Sequence, residues 1–148
     1  MPIQFQPTTL ADGEALARLR VLAMKDSLQA LGRFDPERAR QRFLSAFDPQ
    51  YTCRIVLDGV LVGFWVLKPQ ATDWLLDHLY VAPGHQSQGI GTQVLGHVFD
   101  RADQAGQVLR LGALKGSRSN AFYLRHGFVK IDEGEWDICY ERQPVNAH

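Results

Sequence analysis

Residues 73 to 92 read Asp73-Trp74-Leu75-Leu76-Asp77-His78-Leu79-Tyr80-Val81-Ala82-Pro83-Gly84-His85-Gln86-Ser87-Gln88-Gly89-Ile90-Gly91-Thr92. The stretch begins as an apolar run with β-type residues, Trp74 to Val81, which Pro83 and Gly84 stop. Gln86 to Thr92 then leads straight into a helical pattern. A strand, a glycine-rich turn and a helix start make an anion site by geometry. The first N–H groups of a helix lack intrahelical partners, and the helix dipole favours negative charge there. Glycine lets an anion approach the backbone because no Cβ stands in the way. The blander reading is that the glycines only make a tight turn. A dinucleotide fold or a P-loop fits less well. There is no third glycine at the Rossmann spacing and no Gly-Lys-Ser/Thr, and the loop lies mid-chain.

Outward from this stretch the chain reads as one α/β domain. Ile3 and Phe5 alternate with Gln4 and Gln6 as a first strand. Thr8 or Thr9 caps a helix whose apolar face holds Leu10, Ala11, Ala15, Ala17, Leu19, Val21 and Leu22, and Gly32 ends it. Asp35-Pro36-Glu37 starts a second helix, and Asp48-Pro49 stops it. Strands are expected over 52–57 and 60–68, joined by the hairpin signal Asp58-Gly59. Gly63 inside the second of these marks a close approach of backbone or ligand. Val94, Leu95, Val98, Phe99 and Ala102 recur at helical spacing after Gly91. A strand over 108–114, a short helix from Ser117-Arg118-Ser119-Asn120 to Gly127, and two strands over 128–131 and 136–141 complete the pattern. The expected architecture is a mixed central sheet flanked by helices over residues 1–143, with 144–148 as a tail.

Composition narrows the function. The chain has 148 residues, 45% hydrophobic and 22% charged, with a formal net charge of +0. That length supports a real core. The absence of basic excess gives nucleic-acid binding no electrostatic support, so no nucleic-acid partner is expected. No apolar stretch approaches the ~20 residues of a membrane span, and no signal peptide opens the chain. A cytoplasmic protein without a membrane partner is therefore expected. Cys53 and Cys139 lack metal-ligand spacing. Two thiols in a reducing compartment is the first reading and a disulfide the second, and no metal is expected.

Gln86-x-x-Gly89-x-Gly91 resembles the signature of the GNAT superfamily of N-acetyltransferases. A second stretch, Phe122-Tyr123-Leu124-Arg125-His126-Gly127-Phe128, is similar to that family's Phe/Leu-Tyr-x-x-x-Gly-Phe. The element order matches as well, and the resemblance runs from Ile3 to Arg142. It implies that Gln86, Ser87, Gln88, Gly89, Ile90, Gly91 and Thr92 hold the pyrophosphate of acetyl-coenzyme A. It also implies that Tyr123 protonates the departing thiolate. Unperturbed values near 10 for a phenol and 8.5 for a Cys-type thiol make that transfer close to balanced. A core tyrosine tied to backbone is the alternative.

The resemblance implies a base on the central strand. Asp77 and His78 are the two candidates, on opposite faces by strand alternation, with Asp77 favoured unless a bulge exchanges them. Backbone N–H groups near Leu79, Tyr80 and Val81 are expected to stabilise the oxyanion, and the amide-rich pantetheine arm to extend that strand. The family's usual asparagine is replaced here by Gly116, with Asn120, Ser117 and Ser119 nearby but out of register. Asn120 is carried as a coenzyme contact. An acyl-cysteine route is not expected, since neither cysteine has an adjacent histidine. Glu133, Glu135 and Asp137 form an acidic cluster, read first as a solvated turn and second as an attractor for an amine.

The expected activity is direct acetyl transfer to the primary amine of a small molecule or peptide. The alternative is a non-catalytic acyl-coenzyme A-binding sensor, and a third reading is a phosphate-metabolite-binding domain without acyl transfer. A homodimer through exposed strand edges is compatible with the sequence.

Overall fold

The computed structural model describes residues 3–145. Strand β1 (Ile3–Pro7) leads to a 3-10 turn at Leu10–Asp12 and then to helices α1 (Gly13–Ala30) and α2 (Pro36–Ala46). After a second 3-10 turn come β2 (Thr52–Leu57), β3 (Val60–Pro69) and β4 (Trp74–Val81). A third 3-10 turn, Pro83–His85, precedes α3 (Ile90–Gln104). The chain continues through β5 (Leu109–Leu114), α4 (Ser119–Arg125), β6 (Val129–Glu133) and β7 (Asp137–Arg142). The seven strands form one mixed sheet in the order β1-β2-β3-β4-β5-β7-β6. This is the α/β architecture that the element order implied. The last three residues of the expected tail, 146–148, lie outside the described residues.

By Cα proximity the chain groups into two compact units. One holds the residues through Val66 together with His78–Gln93, and the other holds Leu67–Asp77 together with the residues from Val94 onward. The first unit is built on local signals. The N–H of Thr9 donates to the Asp12 carboxylate at 2.8 Å, while the Thr8 hydroxyl donates to the Thr52 carbonyl at 3.1 Å. Asp35 caps α2 by accepting the Arg38 N–H at 3.0 Å, with Pro36 in the first turn. Asp58 (φ 52°) and Gly59 (φ 77°) both occupy the left-handed region, as a two-residue type I′ hairpin requires. Leu16, Ala17, Leu19, Phe43, Phe64 and Val66 form the core of this unit.

Four positions of the expected apolar face, Leu10, Ala11, Ala15 and Leu22, are exposed instead. Leu10 is 77% exposed and Leu22 54% exposed. The chain from Leu10 to Asp12 is a 3-10 turn, so Leu10 is out of phase with α1. Leu22 lies about 140° round the helix from buried Ala17, at 3.6 residues per turn.

Gly63 does mark a close approach. A Cβ there would collide with the Tyr80 carbonyl oxygen, a backbone atom that cannot swing aside. The neighbouring hydrogen bond from the Ala82 N–H to the Val62 carbonyl, 2.8 Å, ties β3 to the chain just after β4.

In the second unit β4 pairs in parallel with β5 at Trp74–Leu109 and Leu75–Arg110. β5 pairs along its length with β7, which pairs with β6. Phe128, expected to open the next strand, is instead buried against Phe99 and Tyr123, and β6 begins one residue later. β6 also runs two residues further than expected. Asp132 and Glu133 belong to the strand, and the turn is made by Gly134, whose N–H donates to the Asp137 carbonyl at 2.8 Å. Asp132 pairs with Cys139 and Glu133 with Ile138 across the ladder, and Glu133 also bridges Lys115 at 3.0 Å and Lys130 at 2.5 Å.

Candidate active site

The glycine-containing turn follows directly from β4. Pro83 opens a single 3-10 turn, closed by the His85 N–H on the Ala82 carbonyl at 2.8 Å. Gln86 returns to extended backbone, and its side-chain amide donates to the Val81 carbonyl at 3.0 Å. That bond folds the Gln86 side chain back onto the strand end and sets the start of the loop. Ser87 (φ 64°) and Gly89 (φ 81°) are both left-handed. Beyond its two chain neighbours no heavy atom lies within 4 Å of where a Gly89 Cβ would stand, so conformation and not crowding requires glycine there. The Gln93 N–H donates to the Gly89 carbonyl at 3.1 Å as α3 begins. The amides of Gly89, Ile90 and Gly91 lie ahead of that bond, in the turn where a helix presents N–H groups to an anion. Ile90 is buried and pins the first turn. His85, one residue before Gln86, has a buried Nδ1 without a hydrogen-bond partner.

The same unit holds His78 and Tyr80, two residues apart on one face of β4. His78 stands among aromatic rings. Its centroid is 5.7 Å from that of Phe43 on α2, 6.4 Å from Phe64 on β3 and 5.5 Å from Tyr80. His78 Nδ1 lies 3.2 Å from the Tyr80 hydroxyl, and that hydroxyl donates to the thioether sulfur of Met24 on α1, also at 3.2 Å.

The other unit carries Asp77, Asn120 and Tyr123. Asp77 is ion-paired with Lys68 of β3 at 3.0 Å, both side chains about one-third exposed. Tyr123 is buried on α4, with its ring 5.5 Å edge-on to Phe128, 5.4 Å from Phe122 and 6.3 Å from Tyr140. Gly127 at φ 92° lets the chain turn back so that the Phe128 N–H donates to the Tyr123 carbonyl at 3.1 Å. Asn120 is fixed on three sides. Its amide nitrogen donates to the Leu114 carbonyl at 2.8 Å and the Ser117 carbonyl at 3.0 Å, and its oxygen accepts the Tyr140 hydroxyl at 2.7 Å. The acidic cluster is not a loose turn at its first member. The ammonium groups of Lys130 and Lys115 hold Glu133 well below the usual carboxylate range, from 4.5 to about 2.

The profile of the Acetyltransferase (GNAT) family matches residues 16–128, which span both motifs. The chain belongs to the GNAT acetyltransferase family. No curated protein matches it by sequence. Among solved structures it is similar to the PaiA N-acetyltransferase of Thermoplasma acidophilum in complex with coenzyme A. That match has 20% identity and a TM-score of 0.80, over 97% of this chain and 99% of the other. An acetyltransferase of Thermus thermophilus matches at 22% identity and TM-score 0.76, over 97% of each chain. The ribosomal-protein-S18-alanine N-acetyltransferase of Escherichia coli matches at 18% and 0.75, over 99% of this chain and 97% of that one. At these identities the likeness is one of fold. No helix among the described residues of this GNAT chain is long and apolar enough to cross a membrane.

Sequence reading missed the side chains that surround the candidates. Met24 carried no signal beyond a helical position, and Lys68 lies nine residues before Asp77 on a neighbouring strand, a pairing set by register. Tyr140 had one signal: it alternates with Ile138 on the strand expected over 136–141. In this GNAT fold these three residues decide how Tyr80, Asp77 and Asn120 are held.

Proposed function

We propose that this chain transfers an acetyl group from acetyl-coenzyme A directly to the primary amine of a small molecule or a peptide. The observation that carries the reading is the turn from β4 into α3, with Ser87 and Gly89 left-handed and the amides of Gly89, Ile90 and Gly91 ahead of the first helical bond. Those residues fit the phosphates of a coenzyme. Space is open over Gly89, and the orphaned ring nitrogen of His85 lies one residue from the loop. Gln86, Ser87, Gln88 and Thr92 shape the loop, and the amide-rich arm of the donor runs along Leu79, Tyr80 and Val81.

His78 is the base in this reading. An imidazole, ordinarily near 6.5, is better matched to neutral pH than a carboxylate near 3.9. Asp77, the first candidate from sequence, is ion-paired with Lys68 at 3.0 Å. The amine nitrogen attacks the thioester carbonyl carbon, and a C–N bond forms as the carbonyl electrons move onto oxygen. Backbone N–H groups of the β4 end receive that oxyanion. His78 takes the proton of the attacking amine. When the intermediate collapses, the C–S bond breaks, its electron pair goes to sulfur, and Tyr123 supplies the proton. Solvent then restores both residues. Asn120 acts by holding the Leu114–Asn120 segment, since its amide already serves backbone and Tyr140.

Calorimetric titration with acetyl-coenzyme A tests the cofactor, and Gly89→Glu, which fills the open space with a carboxylate, is the control. Binding by the wild type that disappears in the variant is expected; no binding by the wild type overturns the reading. Tyr123→Phe should then retain that binding and lower kcat on the order of 10²-fold, measured as thiol release with an amine library. Binding with no thiol release from any amine would instead leave the non-catalytic sensor.

A further inference from the structure

We infer that Arg20 anchors a carboxylate on the acceptor, so that the amine acetylated here belongs to an amino acid or another amine that also carries a carboxylate. The inference rests on the acetyl-transfer reading and names the substrate class of that same site.

Arg20 is half-buried on α1. Among the described residues its Nη1 donates to the Ala39 carbonyl of α2 at 2.6 Å, and no carboxylate pairs with it. Nε is buried without an acceptor, and Nη2 donates to none of the described residues. These two nitrogens form one edge of the guanidinium fork, an edge that a carboxylate can grip with both oxygens. Arg40 on α2 shows the same edge filled: its Nε and Nη2 donate to the two oxygens of Glu14. Arg54, Lys68, Lys115 and Arg142 are half-buried as well, and each pairs with a carboxylate. A cation withdrawn from water is costly to hold unless it is paired, and Nε is closed to water. The two helices have no acid left for it. Glu14 of α1 and Glu37 of α2 both bind Arg40. Asp26, the other acid of α1, is exposed and stands six residues on, about 120° round the helix.

The position of Arg20 fits an acceptor anchor. Leu16, Arg20 and Met24 follow one another at four-residue spacing along one stripe of α1. Leu16 packs in the same core as Phe43 and Phe64, two of the rings around His78. Met24 receives the hydroxyl of Tyr80, the third ring. Arg20 stands between them, about 6 Å along the helix from each. A carboxylate held there leaves the rest of a small acceptor beside the rings that surround His78.

The first test needs no variant. Thiol release from acetyl-coenzyme A is followed with glycine, β-alanine, γ-aminobutyrate and the proteinogenic amino acids, each beside its carboxamide, which keeps the shape and removes the charge. The best acid should exceed its amide on the order of 10- to 100-fold in kcat/KM, the range of a charge-assisted pair. In Arg20→Gln that ratio should fall toward one, with the loss in KM for the acid. Arg20→Lys keeps the charge and loses the fork, and should lower the ratio several-fold; it takes the place of Arg20→Gln if the latter does not fold. Amides that serve the wild type as well as acids overturn the inference and leave acetyl transfer standing. A ratio that survives both substitutions also overturns it and makes Arg20 a tie between α1 and α2. If no amine releases thiol, the acetyl-transfer reading has failed, and calorimetry of the same acids and amides on coenzyme A-bound protein judges Arg20 alone. Acids that bind where amides do not, with binding lost in the variant, uphold the anchor; any other result removes it.

Discussion

Tyr80 and Tyr140 are both strand tyrosines whose hydroxyls reach a neighbouring side chain, and their surroundings differ in kind. Tyr140 donates to the Asn120 oxygen at 2.7 Å, and Asn120 is anchored in turn to two backbone carbonyls. That network ends on peptide groups. Tyr80 donates to a thioether at 3.2 Å, a weak acceptor, and its other neighbour is an imidazole, a group that ordinarily changes charge near pH 6.5. One arrangement is closed and serves to hold a turn. The other is open at a group that can move protons. Burial follows the same division, with Tyr140 2% exposed and Tyr80 half-buried. A polar network that is saturated by backbone reads as scaffold, and one that terminates on histidine reads as chemistry.

The largest test of this contrast acts on backbone. Gly63 lies beneath Tyr80, and its missing Cβ is all that lets the Tyr80 carbonyl pass. Gly63→Ala should cost about 3 kcal/mol by overpacking, seen as a lowered midpoint in urea. Gly112 on β5 is the matched control in the other unit, because a Cβ there would meet only the Ile138 carbonyl at 4.0 Å. Gly112→Ala should be neutral or stabilise by up to about 1 kcal/mol through the unfolded chain. Equal losses at the two glycines would mean that strand glycine itself, and not the approach to Tyr80, sets the cost.

A smaller effect separates the two hydroxyls. Tyr140→Phe leaves the part-buried Asn120 oxygen without its donor and should cost about 2 kcal/mol. Tyr80→Phe removes a bond to sulfur at a half-buried position and should cost under about 1 kcal/mol, while lowering turnover. Thermal melts beside kinetics decide the matter. The comparison breaks if Tyr80→Phe is the more destabilising or if Tyr140→Phe is the more damaging to kcat.

Much of this was legible in the sequence alone. Asp58-Gly59 demanded positive φ and obtained it, Asp35-Pro36 capped α2, and Gly63 announced a close approach whose partner is the Tyr80 backbone. These are local signals, carried by residues a few positions apart. The turn from β4 into α3 was legible for the same reason. The partners of the candidate side chains were not. Met24 is 56 residues from Tyr80, Lys68 pairs with Asp77 across neighbouring strands, and Tyr140 is 20 residues from Asn120. Each pairing is fixed by register and helix packing, which no local pattern encodes. The boundary errors have the same origin. Phe128 reads as a strand residue by propensity, yet its contacts with Phe99 and Tyr123 place it in the core ahead of β6.

The smallest expected effect concerns pH, and it draws the scaffold side of the comparison outward to the surface. Acid sensitivity in the neighbourhood of Asn120 and Tyr140 comes from carboxylates on the strands around them. Glu133 on β6 is one, held at about 2 instead of the ordinary 4.5, first by the hydrogen bond from Lys130 and then by Lys115. A depressed carboxylate stabilises the fold only while it is ionised. Its contribution is complete above pH 4.5, declines as the pH falls, and is gone below about 2. Glu133→Gln should therefore lower the urea midpoint slightly at pH 6, and the gap to wild type should close between pH 4.5 and 2. Asp103, lowered chiefly by its hydrogen bonds to Arg142, remains in the variant and preserves the rest of the acid limb. Because Glu133 is exposed, salt should shrink the gap at pH 6 as well. A gap that persists undiminished at pH 2 would show that Glu133 supports β6 through packing in the ladder rather than through its charge.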